Sequence, residues 1–279
     1  MTTTVWLNGR VGPAEQAWVS ALDHGLTVGD GVFETIKVVD GRPFAISRHL
    51  HRLRGSAEVL GLAMPDEAEL RKATDEVIAA ATIPGLGRLR LTVTGGAGPL
   101  GTDRGGAPPT VMAAITPAKP WPDGVIVVRV PWTRNERSAV AGAKTTSYAE
   151  NVVALRAAQQ AGASEALLGN SRGELSEGTG SNVFVALGGR LLTPTLESGC
   201  LGGITRELLL EWAADAGLPL VEKDLPIEVL AEADDVLLTS STRGVQPQAA
   251  VDGRPLPRGE LARAAQELYL RRAATGLDP

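Results

Sequence analysis

AKTTSYAENVVALRAAQQAGASEALLGNSRGELSEGTGSN, residues 143–182, is the stretch whose reading decides the fold. It reads as a lysine just before a helix, then the helix, a hairpin and an acidic residue, Glu177, in a Gly-rich turn. The chain has five lysines, and four sit in ordinary surroundings. Lys72 lies in a charged helix, Lys119 between prolines, Lys223 in the polar VEKDLP, and Lys37 in a strand that ends at a turn. Lys144 alone is flanked by small residues (AGAKTTS) and followed by an apolar helical run. An ammonium in such a place is expected to be partly desolvated, which favours the neutral amine. The neutral amine is the form that makes a Schiff base with an aldehyde. A lysine whose stem merely lies along a helix start is the alternative. The rest of the chain decides between them.

Composition narrows the choice. A chain of 279 residues, 43% hydrophobic and 21% charged, can bury a large core, and its length suggests two domains. A net charge of −5 gives no long-range attraction to nucleic acid. No run of eighteen apolar residues exists, so no membrane span is expected. The start, MTTTVWLNGR, has neither a charged n-region nor an apolar h-region, so no signal peptide is expected. A single cysteine, Cys200, excludes an intrachain disulfide and fits a reducing, cytoplasmic setting. With that one cysteine and three histidines, a structural zinc site is not expected.

Outward from the opening stretch, residues 4–12 and 32–44 read as strands, the second turning at Asp40-Gly41. SALDHGLTVGDGVFET between them is a Gly-rich loop suited to close approach of backbone to a ligand. Residues 47–62 form a helix capped by Ser47, with Leu50, Leu53, Ala57 and Leu60 as its core stripe. Arg48 and Arg52, four apart, share its other face; one of them grips an anion or both face water. A second helix is expected at 66–81, and strands at 88–94 and 110–116. PAKPWPDG, residues 117–124, is a proline-broken linker between a domain at 1–116 and another at 125–279. After it come strands at 125–131, 164–168, 182–187, 190–193, 219–223 and 235–239, and helices ending at Gly162 and Gly217. The second of these helices opens from GCLGGIT, a start suited to phosphate. A last helix is expected at 258–274, after the hydroxyl-rich SSTRG at 240–244. Hairpin-paired strands with helices interspersed argue for an α+β fold.

A desolvated lysine, an acid near a glycine turn, an arginine-bearing helix and two candidate phosphate holders together match the needs of pyridoxal phosphate. In this order, ALDHGLTVGDGVFET, RHLHRLRGSAEVLGL, KTTSYAENVVALRAAQQAGASEALL, ELSEGTGSNVFV and GCLGGITRELLLE resemble the fold-type IV pyridoxal-phosphate enzymes over nearly the whole chain. That family includes branched-chain and D-amino-acid aminotransferases and aminodeoxychorismate lyases. The resemblance implies a small N-terminal α/β domain, a short linker and a larger barrel-like domain, with the cofactor between them and a homodimer completing the site.

It also implies roles for individual residues. Lys144 would be the Schiff-base lysine and general base, and Glu177 would face the pyridine nitrogen. Arg52, the N–H groups of Ile204 and Thr205, and Ser241 would hold the phosphate. Tyr148 would meet the ring hydroxyl, at a spacing one residue shorter than in the branched-chain enzymes. Phe33, Gly95, Arg134, Thr242 and Arg243 would line the place of a small-molecule amine substrate. Gly95 stands where D-amino-acid transaminases carry an arginine for the substrate carboxylate, which speaks against that specificity. The whole pattern is most similar to aminodeoxychorismate lyases, which release pyruvate to leave 4-aminobenzoate for folate synthesis. The alternative is a class IV aminotransferase using branched-chain, D- or simple amine donors.

Overall fold

Positions for residues 3–279 come from a computed structural model of the protein. The chain forms two compact units. One comprises the chain up to Pro120 together with Ala143–Ser147 and Asp278, and the other Trp121–Gly142, Tyr148–Leu277 and Pro279. The segment carrying Lys144 therefore groups with the first unit, although in sequence it follows the linker.

The first unit is built from β1 (Thr4–Leu7), β2 (Arg10–Pro13), α1 (His24–Thr27), β3 (Gly31–Val39), β4 (Arg42–Pro43), α2 (Ile46–Leu60), α3 (Glu67–Ala80), β5 (Leu86–Thr94) and β6 (Thr110–Pro117). The strands make an antiparallel sheet in the order β2-β1-β6-β5-β3-β4. Residues 4–12, expected as one strand, fold into a hairpin because Asn8 and Gly9 both take positive φ (45° and 87°). Asp40 and Gly41 turn the β3–β4 hairpin in the same way. Alternation sends Val32, Ile36 and Val38 of β3, and Leu89, Leu91 and Val93 of β5, to one face, where Leu50, Leu53 and Ala57 of α2 and Leu70, Ala73 and Val77 of α3 cover them. Leu60 is only partly buried at that edge. Asp66 caps α3 through the Glu69 N–H at 2.7 Å. Ser47 does not cap α2. Ala45 holds the N-cap position, and Ser47 instead donates its hydroxyl and N–H to the Asp278 carboxylate, a partner 231 positions away.

The second unit follows with β7 (Ile126–Arg134), α4 (Ala149–Gln160), β8 (Glu165–Asn170), β9 (Leu175–Gly178), β10 (Asn182–Leu187), β11 (Arg190–Thr193), α5 (Ile204–Ala216), β12 (Leu220–Glu222), α6 (Val229–Glu232), β13 (Asp235–Ser240), β14 (Gly244–Pro247), β15 (Ala250–Val251), β16 (Arg254–Pro255) and α7 (Glu260–Ala273). Two five-stranded sheets, β12-β11-β10-β13-β14 and β16-β15-β7-β8-β9, share a core that includes Val127, Leu167 and Leu175 from one and Val183, Val185, Val236 and Leu238 from the other. Most neighbours are antiparallel. The β7–β8, β15–β7 and β11–β12 pairs are parallel, and α4 and α5 supply two of the crossovers. Ala154 and Ala158 of α4 pack against Ala166 and Leu168 of β8. Gly162 and Gly217 adopt φ of 75° and 67° just past α4 and α5, ending both helices. The architecture is α+β, as the element order implied.

Among the described residues, no helix is long and apolar enough to cross a membrane, and no cluster of His, Cys, Asp and Glu is arranged to hold a metal ion.

Candidate active site

In the first unit, Lys144 is fixed by its backbone before its side chain is considered. Its N–H donates to Ser56 Oγ of α2 at 3.0 Å, and its carbonyl accepts the Phe33 N–H of β3 at 3.0 Å. Thr145 bridges Val32, and the Thr146 N–H donates to the Gly31 carbonyl at 2.8 Å, so residues 144–146 run along β3 like an added strand. The glycines of the preceding loop serve this approach. At Gly29 (φ 69°) a Cβ would meet Ser147 Oγ, and at Gly31 it would press on Thr146 and the Val93 carbonyl. The close backbone approach expected of that loop is thus used by the chain's own segments. The half-buried Lys144 side chain places Nζ 4.4 Å from the Phe33 ring centroid, and the Arg90 guanidinium lies 3.6 Å from the same ring. Arg90 escaped the sequence reading. Its signal was its place on β5, two residues before Thr92, which stands opposite Phe33 in register. Lys37 also departs from its ordinary appearance: partial burial on β3 lowers its pKa.

Arg52 faces a carboxylate. Its Nε donates to Glu34 Oε1 at 2.8 Å and its Nη2 to Oε2 at 2.6 Å, a bidentate grip. Glu34 lies on the core face of β3 between Val32 and Ile36 and is fully buried. His49, three residues before Arg52 and equally hidden, places Nδ1 2.6 Å from Glu34 Oε2. Burial alone would raise the Glu34 pKa; Arg52 and His49 outweigh it and hold the carboxyl at about 2. Burial pushes His49 below its ordinary value, so at neutral pH we assign a neutral imidazole donating Nδ1–H, with Arg52 as the charge partner. A glutamate at a core position of an alternating strand was the available sign that a buried cation must meet it. Gly95 lies beneath a second pair. A Cβ there would collide with the Asp30 carboxylate, which Arg104 binds through Nε (2.6 Å) and Nη2 (2.7 Å). Arg104 also reaches the Leu60 and Gly61 carbonyls and so ties the loop after β5 to the end of α2.

In the second unit, Glu177 belongs to strand β9, and the glycine turn expected around it follows at 179–181. One carboxylate oxygen accepts the Leu201 N–H at 3.0 Å, and the other lies 3.0 Å from Arg134 Nε. Arg134, expected at a substrate, is therefore beside Glu177, with Nη1 also donating to Asn151 Oδ1 at 3.3 Å. Ile204 and Thr205 open α5, where first-turn N–H groups have no intrahelical acceptor. Gly203 caps that helix, and a Cβ there would overlap Asn182 Oδ1. Tyr148 holds the N-cap position of α4. Ser241 and Thr242 sit in the turn after β13, where Trp121 Nε1 donates to Thr242 Oγ1 at 3.4 Å. The Arg243 side chain is turned inward onto Glu165 at 3.1 Å. Glu165 and Trp121 lie in stretches quoted above, but the sequence assigns neither a site role.

Residues 31–251 match the family model for amino-transferase class IV. The chain belongs to the class IV aminotransferases. It is 34% identical to a putative branched-chain-amino-acid aminotransferase of Methanocaldococcus jannaschii, covering 95% of this chain and 94% of the relative. A D-alanine aminotransferase of Bacillus licheniformis is 32% identical (91% and 90% covered), and an aminodeoxychorismate lyase of Bacillus subtilis 29% (95% and 93%). Among solved structures, the branched-chain aminotransferase of Thermoproteus uzoniensis with norvaline superposes with a TM-score of 0.91 at 32% identity, covering 99% of this chain and 96% of that one. The PLP-bound form of a hypothetical aminotransferase from Mycobacterium tuberculosis gives 0.84 at 30% identity (98% and 99%).

Proposed function

We propose that this class IV family member is a pyridoxal phosphate-dependent aminotransferase that moves an amino group from an amino acid to a 2-keto acid. The observation that carries the reading is Glu177, a buried carboxylate with one oxygen on a backbone N–H and the other beside Arg134. Both partners suit an ionised carboxylate of fixed direction, which is what a protonated pyridine nitrogen requires of its partner. The remaining residues fit the same group. In the second unit, the first-turn N–H groups of Ile204 and Thr205 and the Ser241 hydroxyl would suit a phosphate, and in the first unit Arg52 is the guanidinium expected for that role. Pyridoxal phosphate, when bound, supplies the electron sink that makes the proton on the amine-bearing carbon labile.

The chain's own contribution is positioning and proton movement. Lys144, its backbone pinned by Ser56 and Phe33, presents Nζ over the Phe33 ring, and this amine would hold the cofactor's aldehyde. The free Nζ would take the proton from the amine-bearing substrate carbon as general base. Phe33 supplies an apolar wall to that nitrogen. Tyr148, at the start of α4, is the candidate for the ring hydroxyl.

The similarity to branched-chain and D-alanine aminotransferases supports transamination ahead of the lyase reaction that the sequence pattern suggested. Gly95 favours donors other than D-amino acids, since position 95 itself brings no guanidinium for the carboxylate and the neighbouring Arg104 is bound to Asp30. The aminodeoxychorismate lyase relative keeps the lyase as the second reading. The homodimer that the family resemblance implies belongs to the same reading.

The test is a donor screen on cofactor-loaded protein with a 2-keto acid acceptor, beside an arm supplying aminodeoxychorismate and following 4-aminobenzoate and pyruvate. Amino transfer that disappears in Lys144→Ala, and falls steeply in Glu177→Gln with the cofactor still bound, supports the proposal. Equimolar 4-aminobenzoate and pyruvate without amino transfer refutes it in favour of the lyase.

A further inference from the structure

Glu165 and Arg243 are opposite charges hidden in the second unit, with side chains 5% and 2% exposed, and neither has a part in the reaction above. Buried ion pairs contribute little net stability against an apolar pair of the same size, so stability alone is a weak reason for this one. Its contacts show what it fixes. Arg243 Nη2 donates to Glu165 Oε2 at 3.1 Å, and Nη1 donates to Gln246 Oε1 at 3.0 Å. The guanidinium lies 3.9 Å from the Trp121 ring centroid, and Gln246 Nε2 donates to the Pro122 carbonyl at 2.7 Å. Trp121 returns to the same turn through its Nε1 donation to Thr242.

On the other side, the Glu165 carboxylate accepts the Thr179 N–H at 3.0 Å, the Thr179 hydroxyl and the Ser181 hydroxyl at 3.3 Å. Asn151 Nδ2 donates to the Thr179 carbonyl, and Asn151 Oδ1 accepts from Arg134, the partner of Glu177. A continuous polar path therefore joins the turn at 240–243 to the turn that follows Glu177, with the Glu165–Arg243 pair as its centre.

We infer that Arg243 is a positioning residue which, through Glu165 and Trp121, locks the turn bearing Ser241 and Thr242 at a fixed separation from Glu177. This assignment replaces the substrate contact expected of Arg243. It rests on the cofactor reading above, since the two ends it holds are the proposed partners of the phosphate and of the ring nitrogen. A guanidinium suits this place because one planar fork stacks flat on the indole while donating in two fixed directions, whereas an ammonium, a compact point charge, gives no planar stack.

The experiment measures pyridoxal phosphate binding by equilibrium dialysis and the visible spectrum of the bound cofactor, with a melting curve for each protein. The central variant is the double Glu165→Gln, Arg243→Met, which removes both charges and strands neither. Its melting temperature should stay near wild type while its dissociation constant for pyridoxal phosphate rises by roughly ten- to a hundredfold. Arg243→Lys should recover only part of the loss. Trp121→Phe keeps the stack, removes one neutral donor, and should weaken binding by roughly fivefold. A folded double variant with wild-type affinity and spectrum overturns the inference. Should the double variant fail to fold, Trp121→Phe decides, and unchanged binding there overturns it equally. Wild-type protein that binds the cofactor but transfers no amino group refutes the proposed function and leaves this inference to the binding data. Wild type that takes up no cofactor overturns both.

Discussion

Exchanging Arg52 for methionine should reverse the sign of the pH dependence of stability in the first unit. In the wild type, Glu34 has a pKa held down from 4.5 to about 2 while fully buried. The unfolded chain takes up that proton at a higher pH than the folded chain, so the contribution is complete above about pH 4.5 and drains as pH falls towards 2. A depression of this size is worth about 3 kcal/mol at pH 7, of which about 2 kcal/mol is gone by pH 3. Arg52→Met leaves the carboxylate buried beside a neutral imidazole. Desolvation then dominates, and the Glu34 pKa should move above its ordinary value. Stability at pH 7 should drop by about 3–5 kcal/mol, and part of it should return as pH falls and the carboxyl protonates. Glu34→Gln should lack both slopes. The assay is native-state hydrogen exchange of β3 and β5 amides between pH 7 and 3, with Glu34→Gln subtracting all other acids. Parallel profiles for wild type and Glu34→Gln would refute the assignment of Arg52 as the charge partner that holds Glu34 ionised.

Three further outcomes are expected. Gly203→Ala sets a methyl against Asn182 Oδ1, which is tied by its Nδ2 to the Leu201 carbonyl at 2.7 Å. Relief requires the start of α5 to shift, so pyridoxal phosphate affinity should fall by about 1–3 kcal/mol with a smaller loss in melting temperature, read by dialysis and calorimetry. Cys200, its thiol pushed up to about 11 by burial and the nearby Glu177, should resist iodoacetamide at pH 8 until urea unfolds the chain; rapid labelling of native protein would contradict this. Trp6→Phe removes the indole donor to Glu76 Oε2 at 2.7 Å and should cost about 1 kcal/mol in denaturant titrations.

Much of the fold is written locally in the chain. Alternation in 32–39 and 86–94, the Asp40-Gly41 turn, the stripe of Leu50, Leu53 and Ala57, and the glycines at 162 and 217 each act over a few residues, so periodicity and turn chemistry place the elements. The Lys144 segment, the SEGTGSN stretch and the glycine entry to α5 were legible for the same reason: each is contiguous. What remained hidden depends on partners far apart in sequence. Ser47 looked like a cap until Asp278 took its hydrogen bonds. The partners of Arg134 and Arg243 and the neighbour of Gly95 were equally hidden: Glu177, Glu165 and Asp30 are acids 43, 78 and 65 positions away in sequence. Sequence alone established that cations and carboxylates of the right kind are present. Tertiary structure decided which carboxylate each cation meets, because a buried charge must find its counter-charge wherever the fold brings one within hydrogen-bonding reach.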